Sequence, residues 1–216
     1  MGADLEANKV NSSKNVPEWS TLRYWMPFFD ISGHQFGERC LAACKGSPTF
    51  LENLCGRADF FGPLWITTTV ALEIFVLYIA RTTRSIVRTS ITTALFGFWG
   101  VAFILPAIIW LAINNWDVSE MNVTGVTLAE CISLSGYSII TTIPALLTLG
   151  FIGGKISDAL ILLSALYGAF FLYRNIWPIM KASPMVDKDR LGTVMWLWMA
   201  NHVVIIILTC SLFIRA

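Results

Sequence analysis

Ala58-Asp59-Phe60-Phe61-Gly62-Pro63-Leu64-Trp65-Ile66 divides this chain in two. Before it runs a segment of mixed, scattered charge; after it the chain is almost wholly apolar to its last residue. The stretch therefore reads as the point of entry into a bilayer. Asp59 is expected to keep its charge among the headgroups. Gly62 and Pro63 are expected to stop any preceding helix and start a new one, since proline has a fixed φ and needs no backbone donor in a first helical turn. Trp65 is the amphipathic ring suited to headgroup depth.

Composition agrees with that division. Of 216 residues 56% are hydrophobic and only 13% charged, with a mean hydropathy of +0.65. Soluble domains carry nearer a quarter charged residues. A net charge of +1 argues against a nucleic-acid partner held by phosphate neutralisation. Residues 1–20 contain no apolar core of the kind a cleavable leader carries, so the first span is expected to be its own insertion signal.

Outward from the junction, residues 1–16 are polar and patternless and read as a disordered tail. Residues 17–61 read as an aromatic, amphipathic segment, expected to be cytosolic, in three apolar-rich pieces, Pro17–Asp30, Phe36–Lys45 and Thr49–Cys55. These suit short helices lying on the membrane surface or packed on the cytosolic face of a bundle. Residues 62–214 hold five apolar runs, at about 62–80, 91–113, 128–151, 159–180 and 191–214, each long enough to cross a hydrocarbon core of roughly 30 Å. The expected fold is all-α, a polytopic bundle of five transmembrane helices. Pro106 and Pro144 fall inside the second and third runs and should each free a carbonyl one turn earlier.

An odd number of spans puts the two ends of the bundle chain on opposite sides. Lys45, Arg57, Arg174, Lys181, Lys188 and Arg190 fall on the N-terminal side, and Arg81, Arg84, Arg88, Lys155 and Arg215 on the other. Six against five does not set an orientation. The sequons at Asn11 and Asn122 read as chance matches, and Cys40, Cys44 and Cys55 as free cytosolic thiols, although their place before a span also suits S-acylation.

Few residues offer chemistry. Glu73 sits mid-span, where an acid costs about 3 kcal/mol on the insertion scale. It is expected to be protonated, paired or facing a wet interior, with Asn201 and His202 of the last span as partners. A Glu73–His202 pair could be a proton or ion site, but a hydrogen bond locking two helices is the commoner use of such residues. Glu130 and Asp158 lie near span ends, within reach of headgroups. No HExxH, GxSxG, CxxC or phosphate loop occurs, and no metal or cofactor set can be assembled.

The junction also resembles the Asp-Leu-Tyr-Gly-Pro-Phe-Trp segment of the Yip-domain (YIPF) family. Ser135-Gly136-Tyr137-Ser138 followed by Ile143-Pro144 is similar to that family's Tyr-Gly-Tyr-Ser and Ile-Pro, and Ile176-Trp177-Pro178 falls at the matching end of the fourth span. Trp19 through Phe28-Phe29-Asp30 is similar to the aromatic segment of the branch containing members one and two. The resemblance covers about residues 18–213. It implies a non-enzymatic Golgi or ER–Golgi membrane protein, N-terminus cytosolic and C-terminus lumenal, acting in vesicle-mediated transport. It implies association with Rab-type small GTPases and other Yip-family proteins, and possible homo- or hetero-oligomers. Asp59, Gly62, Pro63, Gly136, Tyr137 and Pro144 would be architectural. Trp19, Tyr24, Phe28 and Phe29 are the candidate partner-facing aromatics. Phe61 and Ser135 depart from the motif tyrosines, and Glu73 is outside the family pattern. Two alternatives stand beside it: a small proton- or ion-coupled transporter centred on Glu73 and His202, and an accessory subunit of a larger membrane complex.

Overall fold

A computed structural model describes residues 22–54, 57–81, 87–113, 126–152, 154–182 and 188–214. The expected tail, Trp19, Cys55 and both sequons lie outside the described residues, as do Arg84 and Arg215. Among the described residues there is no strand. Five helical stretches are long and apolar enough to cross a membrane, Phe61–Ala80, Ala94–Ala112, Leu128–Phe151, Gly154–Ile179 and Leu191–Cys210, which makes this a multi-pass, all-α membrane protein.

Helices α1 (Leu22–Trp25, running into a 3-10 turn at Met26–Phe28), α2 (Gly33–Cys44) and α3 (Phe50–Leu54) precede the spans. A capping box starts α2: Ser32 Oγ accepts the Gln35 N–H at 3.2 Å and Gln35 Oε1 accepts the Ser32 N–H at 3.1 Å. The first span is α4 (Phe61–Arg81). The second is α5 (Val87–Trp99), a π-helical turn (Gly100–Ile104) and α6 (Leu105–Ile113). The third is α7 (Leu128–Tyr137) and α8 (Thr142–Phe151), the fourth α9 (Gly154–Ala182) and the fifth α10 (Lys188–Ile214).

Both prolines act where the sequence places them, and the backbone answers each differently. Pro106 has no N–H for the carbonyl four residues earlier, and the helix widens just ahead of it, with the Leu105 N–H bonding the Gly100 carbonyl. Pro144 likewise leaves the Ile140 carbonyl without its α-helical donor. The chain tightens instead: Ile143 N–H reaches Ile140 O at 3.2 Å and Thr142 N–H reaches Ile139 O at 2.9 Å. These i→i+3 bonds break the third span into α7 and α8 at Ser138–Thr141.

The third span is also the centre of the bundle: 67% of its apolar window is buried, against 28% for the fifth. It packs on α4, α6, the π turn and α9, while α10 packs on α9 and on the first and second spans. The fourth helix begins at Gly154, five residues before the expected start at 159. Gly154 takes a left-handed φ of +69° that closes the turn, and Lys155 and Asp158 then sit on helical turns that polar side chains do not prevent.

Candidate functional site

Asp59 is buried, contrary to the expectation of a headgroup-exposed charge, and the reason is Arg39. The α2 guanidinium pairs with Asp59 Oδ2 through Nη1 and donates from Nη2 to the Arg57 carbonyl at 2.8 Å. Asp59 Oδ1 accepts the Gly62 N–H at 2.7 Å, so the carboxylate caps the free donors at the start of α4. Gly62 and Pro63 therefore lie inside the first turn of α4. Ser133 of α7 closes the ring from the other side, its Oγ accepting the Asp59 N–H at 3.0 Å and lying 2.7 Å from the Asp59 carbonyl, to which it donates. The Tyr137 hydroxyl stands 3.4–3.5 Å from both carboxylate oxygens.

The glycines explain why α4 and α7 meet here. A Cβ on Gly62 would overlap the Tyr137 ring, and a Cβ on Gly136 would overlap Pro63. Tyr137 has no room to yield, because it is fully buried, with Phe36 at 6.3 Å and Phe50 at 5.3 Å between centroids. Five of the six residues assigned an architectural role thus share one contact. The sixth, Pro144, is exposed beside an apolar groove of about 630 Å³ between α8 and α9.

The segment ahead of the spans is tied into the bundle at three further places. Phe28 stacks on Phe60 at 4.7 Å, and the Phe60 N–H donates to the Phe28 carbonyl at 2.7 Å. The Tyr167 hydroxyl of α9 bonds the Ala43 and Cys44 carbonyls at 2.9 and 2.8 Å. Asn175 of α9 donates to the Ser47 carbonyl at 3.1 Å and accepts the Leu51 N–H at 3.2 Å. Burial, with Cys44 and Asp59 adding to it, pushes the Cys40 thiol up to about 12. Phe28 is consequently an anchor, whereas Tyr24 and Phe29 remain exposed.

Arg39, Ser133, Tyr167 and Asn175 carry this arrangement and were not singled out from the sequence. Asn175 had a visible signal, an amide inside an apolar span; Arg39 was one scattered charge among many. A cavity of about 730 Å³ opens beside the ion pair, between the α1–α2 segment and the adjoining ends of α6 and α7.

The expected Glu73–His202 pair is not formed. His202 is fully buried, and neither of its ring nitrogens has a hydrogen-bond partner among the described residues; Glu73 Oε2 has none either. Asn201 points away from the core and bonds its own helix, Nδ2 donating to the Leu197 carbonyl at 2.8 Å. Glu130 is buried as well. Its Oε2 accepts the Thr127 N–H at 2.8 Å, in a capping box that starts α7.

Compared with known proteins, the chain matches no family model, and no solved structure matches it.

Proposed function

We propose that this protein is a non-enzymatic membrane adaptor of the Golgi and ER–Golgi route, acting in vesicle-mediated transport through Rab-type GTPases and Yip-family partners. The observation that carries the reading is the convergence of Asp59, Gly62 and Pro63 with Gly136 and Tyr137. These residues come from two separate stretches that resemble the same family, and they meet in one interlocked contact. Chance likeness in two places gives no reason for the two to touch. The same contact, with Arg39, holds the α1–α3 segment on the bundle. In the proposed orientation this segment faces the cytosol and offers Leu22, 79% exposed, and Met26, 61% exposed, to a protein partner.

The test is affinity capture of the intact, detergent-solubilised chain from membranes. Recovery of a prenylated Rab GTPase or a Yip-family protein is expected, reduced by Leu22→Ser with Met26→Ser at unchanged thermal stability. Recovery of neither class overturns the reading. The transport alternative rests on Glu73 Oε2 and the His202 ring nitrogens, which have no hydrogen-bond partner among the described residues, and proton- or ion-driven flux in proteoliposomes that falls with Glu73→Gln would favour it. Purification as a fixed-stoichiometry subunit of a larger assembly would favour the accessory role.

A further inference from the structure

The cavity beside the Asp59–Arg39 pair is a built, charged chamber that the adaptor reading does not use. It lies where three spans begin or end: Asp59 is two residues ahead of the first, Trp110 two residues from the end of the second, and Leu128 opens the third. Its volume, about 730 Å³, falls within the range of small-molecule sites.

Both signs of charge line it. Arg39 lines the cavity and is fixed by Asp59 and by the Arg57 carbonyl, which occupy two of its five N–H donors. Arg57 adds a second guanidinium to the same wall. Opposing them are Asp30 and Glu130, the latter pinned by the Thr127 N–H. With Asp59 included, two cations face three carboxylates, so a purely anionic ligand meets net repulsion. Tyr24 and Phe28 contribute aromatic rings of the kind that attract ammonium groups, Phe28 with one face already stacked on Phe60, and Ile31 and Leu128 add apolar side chains to the lining.

We propose that this cavity binds the headgroup of a zwitterionic glycerophospholipid. The phosphate bonds Arg39 and Arg57, the ammonium lies toward Asp30 and the Tyr24 and Phe28 rings, and the glycerol esters rest on Ile31 and Leu128. A phosphodiester bearing an ammonium could also arrive as a soluble headgroup. The position at the bilayer boundary and the apolar side chains in the lining favour the lipid.

The intact chain in maltoside micelles is titrated with dimyristoyl phosphatidylcholine, phosphatidylethanolamine or phosphatidylglycerol, and bound lipid is counted by native mass spectrometry. One zwitterionic lipid per chain is expected, preferred about tenfold over phosphatidylglycerol. Arg57→Gln and Asp30→Asn should each weaken retention about three- to tenfold, the loss of one charge-assisted contact. Glu52→Gln, on the exposed side of α3, should leave it unchanged. Asp30→Asn carries the test if Arg57→Gln lowers the melting temperature. Equal retention of phosphatidylglycerol, wild-type retention in both variants, or displacement by free phosphocholine as readily as by lipid each overturns the proposal.

Discussion

Replacing Gly136 by alanine sets a methyl group against Pro63. The added carbon would lie 2.5 Å from both Cα and Cγ of that proline. Carbon atoms come to rest at about 3.5–4.0 Å, so α4 and α7 must part by roughly 1 Å. Pro63 cannot rotate away, since the contact is partly backbone and its ring is fixed. Separation also stretches the 3.0 and 2.7 Å bonds that Ser133 makes to Asp59 across the same junction. Overpacking of this kind costs about 1–3 kcal/mol, and two weakened hydrogen bonds add about 1 kcal/mol each, giving a destabilisation of about 3–5 kcal/mol. Gly192 supplies the internal contrast. It too lies in a helix, but a Cβ there meets open space, so Gly192→Ala should be neutral or stabilising by up to about 1 kcal/mol. Reversible unfolding in mixed micelles of increasing SDS fraction, followed by tryptophan fluorescence, measures both. A Gly136→Ala protein that unfolds no earlier than Gly192→Ala refutes the close approach of α4 and α7.

Three further outcomes follow from the same geometry. Asn175→Ala leaves the Leu51 N–H and the Ser47 carbonyl without their side-chain partner, a loss of about 2 kcal/mol that should appear as faster hydrogen exchange at Leu51 with the Ser133 junction unchanged. Cys40, with its thiol pushed up to about 12, holds almost no thiolate at pH 8, whereas Cys44 is exposed and raised only by partial burial. Maleimide should therefore label Cys44 first, Cys40 should gain reactivity only as pH climbs toward its raised value, and equal rates at pH 8 would contradict its burial. A double-mutant cycle of Glu73→Gln and His202→Asn should give a coupling below about 0.5 kcal/mol, because no hydrogen bond joins them; a coupling well above that would mean the two residues meet.

Five apolar runs, their order, and the positions of Pro106 and Pro144 were all legible in the residues. Hydropathy adds up locally along a helix, and a proline removes the same donor wherever it stands. The fate of individual polar groups was not legible. Asp59 looked solvated because its own neighbourhood is an ordinary boundary, yet its partners are Arg39, twenty residues earlier, and Ser133, 74 residues later. The ties from α9 to the α2–α3 turn span 123 to 128 residues. Glu73 and His202 were expected to pair because both sit in apolar helices, but shared membrane depth does not bring two side chains within reach. Local hydropathy and proline placement were enough to fix five membrane-crossing helices and the points where two of them bend. Tertiary structure alone decided which charges are buried together, because that depends on which helix faces come into register, and no local window of sequence contains that register.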